Sequence, residues 1–340
     1  MSKLFANLTV SSKSVKTTYI KMEKKIVILD GYVANSGDLS WDRLKKYGEL
    51  TVYDRTPKEL VAERIRDAWA VITNKVVITD ELMAQAPNLK LISVLATGYN
   101  NVDIAAAQKH GITVSNVPSY SSEAVAQLVF ALLFSLTTRP ESHSESVKRG
   151  DWGRCADFSY RLGSIEEVSG MTMGIIGYGN IGKRVGEIAH AFGMEVITNS
   201  QRPAPYGVDY MKRVDTEELF RRSDVLSLNS ALTPATEHIV NAKTLAMMKP
   251  NALIINTARG GLVDENALAE ALRNHTIAGA AVDVIAEEPP RNGSPLFELD
   301  NCVITPHIAW QTKQARARLL DITIKNVAAF AAGKPINKVS

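Results

Sequence analysis

Three polar side chains of different chemistry follow predicted apolar strands in the second half of the chain. Arg259 comes directly after ALIINTA, Glu288 after AVDVIAE and His307 after CVITP. The carboxyl ends of parallel strands meet at one sheet edge, where ligands bind, so we expect the three to lie close together. An arginine fork can bind a carboxylate and a carbonyl oxygen, and a histidine beside a carboxylate can deliver a proton. This combination favours reduction of a small 2-keto acid.

Each of these residues alone also has a structural interpretation. An arginine at a strand end often forms a salt bridge, a glutamate before two prolines often lies on a solvated loop, and a single histidine is more often structural than catalytic. Of the six histidines, only His307 directly follows a predicted buried strand. The combination is harder to explain by three unrelated structural roles.

A glycine-rich turn lies upstream of these residues. The turn GYGNIG follows the apolar run TMGII and precedes KRVGEIAHAFG. Its members are Gly177, Tyr178, Gly179, Asn180, Ile181 and Gly182. In dinucleotide-binding folds the three glycines permit the turn, the approach of a pyrophosphate and close helix packing. A tight strand-to-helix turn without a ligand can have a similar glycine pattern. The order of strand, turn, helix and next strand nevertheless favours a dinucleotide bound at the helix N-terminus.

The segment that would contact the adenosine ribose leaves two cofactors open. An acid is expected there, about 20 residues after the glycine turn, but the chain has Asn199, Ser200, Gln201 and Arg202. Arg202 could accommodate the 2′-phosphate of NADP. Alternatively, Ser200 and Gln201 bond the ribose of NAD and Arg202 is solvated. We expect NAD or NADP, with a slight preference for NAD.

Alternating strand-like and helix-like segments predict an α/β fold with two doubly wound parallel sheets. The first sheet would use apolar runs at 25–31, 70–74, 89–98 and 111–117. Six further runs between residues 171 and 307 would form the second sheet, as a dinucleotide-binding fold requires.

Two other segments connect these sheets in the prediction. Residues 119–137 are apolar all round, so we expect this helix to cross between the two units or to pack against a second subunit. The following stretch to Ser169 is expected to be an arm or loop. Residues 312–332 would form an amphipathic helix that is free to return to the first unit.

Composition and charge exclude several classes of protein. The 340 residues exceed one typical core, and 45% hydrophobic with 22% charged residues is ordinary for a globular chain. The lysines of residues 1–22 account for the net charge of +3, so the remainder is close to neutral and predicts neither a nucleic-acid nor a membrane partner. We expect residues 1–22 to be a disordered leader. Cys155 and Cys302 are too few for disulfides or a thiolate metal site, which predicts a cytoplasmic protein without a metal.

Five short motifs occur along the chain in a characteristic order. They are ATGYNNVD, GYGNIG, TARGG, the run from Asp283 to EPP, and TPHIAW. Together they resemble the D-isomer-specific 2-hydroxyacid dehydrogenase family, and the resemblance runs from about Lys24 to the C-terminus. It implies a Rossmann cofactor domain inserted into a flavodoxin-like substrate domain. The substrate domain would comprise residues 23–118 and 308–340, and the cofactor domain residues 119–307, with 119–168 forming a homodimer contact.

The resemblance also implies roles for individual residues. Arg259 would bind and polarise the substrate, Glu288 would tune the histidine, and His307 would be the acid/base. The backbone amides of Ala96, Thr97 and Gly98 would receive the substrate carboxylate, and Asp283 would contact the nicotinamide carboxamide. Further positions implied for the cofactor are Ala231, Thr257 and Ala258. Trp310, and beyond it Trp152 or Phe158, would shape the pocket, although packing explains these aromatics equally well.

Within the family, the chain most resembles glycerate dehydrogenases. The resemblance lies in the segments ILDGY, GDLSW, YDRTP and GDWGRCADFSY, and in the histidine followed by IAW. This implies hydroxypyruvate and D-glycerate as the substrate pair. One alternative is a sibling enzyme that acts on glyoxylate, D-lactate or phosphoglycerate. Phosphoglycerate is the weakest of these substrates, because residues 97–101 contain no Lys or Arg that could bind its phosphate. A second is a dinucleotide-sensing scaffold of the same fold without turnover.

Overall fold

Two parallel β-sheets form the framework of the protein, which is represented by a computed structural model that describes residues 24–200 and 209–340. The predicted leader, Gln201 and Arg202 lie outside the described residues. The strands are β1 Lys25–Ile28, β2 Glu49–Val52, β3 Ala70–Thr73, β4 Leu91–Val94, β5 Thr113–Ser115, β6 Thr172–Ile176, β7 Glu195–Thr198, β8 Met211–Arg213, β9 Val225–Leu228, β10 Leu253–Asn256, β11 Gly279–Val282 and β12 Cys302–Ile304.

The helices connect successive strands and cover both faces of the sheets. They are α1 Val61–Ile65, α2 Asp80–Ala84, α3 Ile104–Lys109, α4 Ser122–Thr137, α5 Pro140–Lys148, α6 Asp151–Arg154, α7 Asn180–Ala191, α8 Thr216–Arg222, α9 Ala242–Leu245, α10 Glu265–Arg273 and α11 Lys313–Ala331. Short 3₁₀ turns occupy Gly31–Val33, Asp42–Tyr47, Lys58–Leu60 and Gly260–Leu262. No helix in the described ranges is long and apolar enough to cross a membrane.

The strand orders confirm the predicted fold class. The five-stranded sheet has the order β2-β1-β3-β4-β5, which is the flavodoxin-like order. The seven-stranded sheet has the order β12-β11-β10-β9-β6-β7-β8, which is the Rossmann order with β12 added at one edge. In both sheets the chain reverses direction beside the first strand, and such a switch point opens a crevice at the carboxyl ends of the strands.

Both faces of each sheet are buried, which explains the near-continuous apolar runs. In β1, for example, Ile26 and Ile28 belong to one core cluster and Val27 to the cluster on the opposite face. Two more clusters enclose the seven-stranded sheet. Successive side chains of a strand point to opposite faces, so apolar residues are favoured at both odd and even positions of such a central strand.

Two helices join the sheets into one molecule. Ala124, near the start of α4, packs in a core cluster of the five-stranded sheet, while Val129 and Leu133 pack in a cluster of the seven-stranded sheet. This position explains why α4 is apolar all round. At the C-terminus, α11 returns to the five-stranded sheet and buries Leu319 and Val327 there.

The structure corrects two expectations. Each sheet contains one more strand than expected, β2 in the first and β8 in the second, and both lie at sheet edges. The stretch from 138 to 169 was expected to be an arm or loop but contains α5 and α6. Pro140 occupies the first turn of α5, where it suits a helix, and the helix is so polar that no apolar period marks it.

Candidate active site

Arg259 and Gly98 bring the carboxyl ends of the two sheets into contact. Gly98 follows β4 of the five-stranded sheet, and Arg259 follows β10 of the seven-stranded sheet. A Cβ atom placed on Gly98 would lie 3.2 Å from Nη2 of Arg259, closer than ordinary van der Waals contact. The guanidinium of Arg259 therefore rests against the loop that was predicted to receive a substrate carboxylate.

The turn that presents Arg259 is fixed by Asn256, the last residue of β10. Asn256 is 1% exposed. Its Nδ2 donates to the carbonyl of Arg259 at 2.9 Å, and its Oδ1 accepts from the N–H of Ala258 at 3.1 Å. On the other side of the turn, a Cβ at Gly260 would overlap the carbonyl of Ile285. Asn256 was not among the residues predicted from the sequence, although a polar residue that ends an apolar strand was a usable signal.

His307 and Glu288 form a hydrogen-bonded pair. The Nδ1 atom of His307 lies 2.6 Å from Oε2 of Glu288, and Oε1 of Glu288 accepts from the N–H of Ile285 at 3.2 Å. Burial raises the pKa of Glu288, but the hydrogen bond and charge of His307 outweigh burial and hold that pKa below its ordinary value. An ionised Glu288 fixes a proton on Nδ1, which leaves Nε2 of His307 as the atom available to a ligand.

The backbone around His307 is held by Asp283, which lies just past β11. His307 has a positive φ of 54°, an uncommon conformation for a residue other than glycine. Asp283 is 1% exposed. Its carboxylate accepts hydrogen bonds from the Thr305 hydroxyl at 2.6 Å, the Ile308 N–H at 2.8 Å and the Ala309 N–H at 2.9 Å. Asp283 thus orients the histidine turn, and its contact with a nicotinamide stays a prediction.

The loop at residues 96–98 has fixed carbonyls and open amides. Asn116 donates to the Thr97 carbonyl at 2.7 Å, and the N–H of Val117 donates to the Ala96 carbonyl at 2.9 Å. The Thr97 hydroxyl in turn donates to the Val117 carbonyl at 2.9 Å. The N–H groups of Ala96, Thr97 and Gly98 have no acceptor among the described residues. This arrangement suits an anionic ligand group.

The glycine turn between β6 and α7 has the conformation that its sequence predicts. Gly177 has a φ of +88°, and a Cβ there would lie 2.7 Å from the backbone of Asn229. A Cβ at Gly182 would overlap the Gly177 carbonyl, so α7 packs directly over the turn. No side chain caps α7 at Gly179, and its first N–H groups are therefore available to an anion. Asn180 donates to the Ser119 hydroxyl at 2.6 Å.

The remaining residues predicted to contact the cofactor follow β7, β9 and β10. Thr257 is buried, and its hydroxyl has no hydrogen-bond partner in the described part of the chain, as is also true of Oδ1 of Asn229. Buried polar atoms without partners are costly, so these two fit a polar ligand bound at the strand ends. Ala231 is exposed, and the N–H of Ser200 donates to the Thr198 hydroxyl at 3.2 Å. The site therefore fits a dinucleotide.

The aromatic candidates occupy three different environments. Trp310 is partly buried and lies edge-on to Tyr120, with 6.4 Å between ring centroids, in the core of the five-stranded sheet. Trp152 and Phe158 are 51% and 92% exposed, and Nε1 of Trp152 donates to the Phe158 carbonyl. Trp310 therefore packs against this core and its contact with a substrate stays a prediction, whereas Trp152 and Phe158 lie on the surface of the chain.

Known proteins resemble this chain over almost its whole length. The sequence profile of the D-isomer specific 2-hydroxyacid dehydrogenase NAD-binding domain matches residues 130–309. A hydroxypyruvate reductase of Blautia hydrogenotrophica is 41% identical, over 93% of this chain and 99% of that protein. A glycerate dehydrogenase of Methylorubrum extorquens is 42% identical, over 94% of this chain and 99% of that protein.

A solved structure has the same fold with a bound cofactor. It is an acyclic imino acid reductase, Bsp5, in complex with NADPH and D-Arg. The TM-score is 0.81 at 33% identity, and the match covers 93% of this chain and 100% of the other.

Proposed function

Because the chain belongs to the D-isomer specific 2-hydroxyacid dehydrogenase family and is an NAD(P)-dependent oxidoreductase of the CH–OH class, we propose that it reduces hydroxypyruvate to D-glycerate. The observation that carries this proposal is the His307–Glu288 pair at the same strand ends as Arg259, which contacts the 96–98 loop. The names of the two relatives that are 41% and 42% identical favour this substrate pair.

The proposed roles follow from the donors that each group offers. The free amides of residues 96–98 bind the substrate carboxylate, and the Arg259 guanidinium binds the keto oxygen and draws electron density from its carbon. His307 delivers a proton from Nε2 to that oxygen, while Glu288 holds the ring through Nδ1 and stabilises the imidazolium. The nicotinamide, when bound, supplies the hydride.

The cofactor would be held mainly by backbone and hydroxyl groups. The open N–H groups at the start of α7 suit the pyrophosphate, and the Thr257 hydroxyl would gain the partner that it lacks in the protein alone. The choice between NAD and NADP depends on residues 200–202, of which only Ser200 is described. The slight preference for NAD stays a prediction.

The proposal also covers the division of the chain into domains and its assembly into a dimer. The chain would divide into a substrate domain of residues 23–118 and 308–340 and a cofactor domain of residues 119–307, and the packing of α11 on the five-stranded sheet supports this division. The protein would form a homodimer through residues 119–168, which carry the exposed side chains of Trp152 and Phe158. Analytical ultracentrifugation tests the dimer, and a monomer at micromolar concentration would contradict it.

An assay with four keto acids tests the proposed activity. NADH and NADPH consumption is followed with hydroxypyruvate, glyoxylate, pyruvate and phosphohydroxypyruvate under the same conditions. We expect the highest kcat/KM with hydroxypyruvate. A higher value with another acid would identify a sibling enzyme, and cofactor binding without turnover of any acid would favour the dinucleotide-sensing scaffold.

A further inference from the structure

Lys75 is a cation at the cleft that no step of the proposed reaction uses. It lies two residues beyond the end of β3, which pairs with β4 in the register Thr73 opposite Val94. Beyond this register, the side chain of Asn74 donates to the Leu95 carbonyl, so the turn that carries Lys75 adjoins the start of the loop with open amides. Lys75 thus lies at the edge of the sheet where the substrate carboxylate is proposed to bind.

The backbone of Lys75 is unusually well fixed for an exposed turn. The carboxylate of Asp30, which follows β1, accepts hydrogen bonds from three consecutive N–H groups: Asn74 at 2.8 Å, Lys75 at 2.6 Å and Val76 at 3.3 Å. The Asn74 side chain also donates to the Leu95 carbonyl at 2.6 Å, directly before the 96–98 loop. These contacts hold the Cα of Lys75 at a constant place relative to that loop.

The side chain of Lys75, in contrast, is exposed and forms no salt bridge within the described ranges. Its charge nevertheless acts on the catalytic pair: burial raises the pKa of Glu288, while His307, the Ile285 N–H and the charge of Lys75 lower it. Lys75 and Glu288 belong to different sheets and do not form an ion pair. The position of the Lys75 backbone at the carboxyl ends of the strands, together with this effect on Glu288, indicates that the ammonium group lies on the side of the cleft.

We propose that Lys75 is a specificity-determining residue that donates a hydrogen bond to the oxygen substituent on C3 of the substrate. This inference rests on the proposed function. The carboxylate of a 2-keto acid already has the amides of 96–98, and the keto oxygen has Arg259 and His307. Of the polar groups of hydroxypyruvate, only the C3 hydroxyl then lacks a donor or acceptor.

This assignment predicts discrimination between substrates. A site that hydrogen-bonds a substrate hydroxyl rejects the analogue that lacks it, because a desolvated polar group is left unpaired. A methyl group at C3, as in pyruvate or D-lactate, would desolvate the Lys75 ammonium without replacing its hydrogen bond to water. Lys75 would thus favour acids with oxygen at C3.

The test compares D-glycerate with D-lactate, which differ only in the C3 hydroxyl. Both are titrated calorimetrically into the full-length protein saturated with NADH, so the readout does not depend on turnover. In Lys75→Met, we expect the Kd of D-glycerate to rise about tenfold or more, as for the loss of a charged hydrogen bond, and that of D-lactate by less than threefold. Lys75→Arg should retain most of the preference for D-glycerate.

Lys90 provides a matched control. It is also exposed, but it precedes β4 and therefore lies at the opposite edge of the same sheet. Lys90→Met should leave both affinities unchanged. Equal weakening of D-glycerate and D-lactate in Lys75→Met, or no weakening of either, would overturn the assignment. Failure of the wild type to reduce hydroxypyruvate would instead refute the proposed function, because the binding comparison is independent of turnover.

Discussion

The two sides of the cleft differ in the groups that they offer to a substrate. On the seven-stranded sheet, the groups proposed to react are side chains, and buried polar residues at strand ends hold them in place: Asn256 fixes the Arg259 turn, and Asp283 fixes the His307 turn. On the five-stranded sheet, the groups of residues 96–98 that are proposed to bind the substrate are backbone amides. In the proposed reaction, proton transfer thus depends on side chains whose pKa can be tuned, whereas anion binding depends on backbone geometry.

This division predicts that substitutions on the two sides affect different kinetic parameters. Changes on the seven-stranded side should lower kcat, because they remove groups that act in the transition state. Changes on the five-stranded side should mainly raise KM, because they remove binding that substrate and transition state share.

The largest effect is expected for His307→Ala. Loss of the proton donor should lower kcat about a hundredfold or more, since general acid catalysis contributes factors of this size. The Kd of NADH, measured by fluorescence titration, should stay nearly unchanged. His275 is the matched control, since it is also a histidine with positive φ, at 52°, but lies beyond α10. Unchanged turnover in His307→Ala would remove His307 from the reaction.

A smaller loss is expected for Arg259→Lys. An ammonium keeps the charge but cannot bind a carbonyl and a carboxylate with a planar fork. We expect kcat/KM for hydroxypyruvate to fall about tenfold to a hundredfold, with changes in both kcat and KM. Steady-state kinetics measures this directly, and wild-type values would show that the guanidinium does not contact the substrate.

Asn116→Ala tests the other side of the cleft. Asn116 donates to the Thr97 carbonyl, so its removal should loosen the 96–98 loop without touching a reactive group. We expect KM to rise about threefold to tenfold, as for the loss of one neutral hydrogen bond, and kcat to change little. A fall in kcat with constant KM would contradict the division of tasks between the two sheets.

The smallest effect concerns stability and pH. The folded-state pKa of Glu288 lies below its ordinary value of 4.5, so its ionised form stabilises the folded protein above that pH, and this contribution is lost as the pH falls through the folded-state pKa. Glu288→Gln should therefore melt at a lower temperature than the wild type at pH 7, and the difference should shrink below pH of about 4.5. A difference in Tm that is independent of pH would contradict a charged Glu288.

The same division explains what the sequence could predict. The placement of Arg259, Glu288 and His307 at the strand ends could be predicted because each has a characteristic chemistry and follows an apolar run. The open amides of residues 96–98 have no side-chain signature, and only the resemblance to a family indicated them. Lys75 and Asp30 were missed for a related reason, since their proximity depends on how β1 and β3 pair.

In the fold, every central strand was predictable from its apolar run, whereas two of the four edge strands, β2 and β8, were not. β6 is buried at every position, so its apolar run is long. β2 and β8 pair with a neighbour on one side only; their exposed residues include Glu49, Lys212 and Arg213, and such charged residues are characteristic of edges. α5 was missed because its mostly exposed sequence has no apolar stripe to mark it.

The most direct test of the central claim is a crystal structure of the protein with NADH and oxamate, an unreactive analogue of a 2-keto acid. We expect the oxamate carboxylate to accept hydrogen bonds from the amides of residues 96–98, and its amide carbonyl oxygen to lie within about 3.2 Å of both the Arg259 guanidinium and Nε2 of His307. Oxamate bound elsewhere, or an Nε2 atom of His307 directed away from that oxygen, would contradict it.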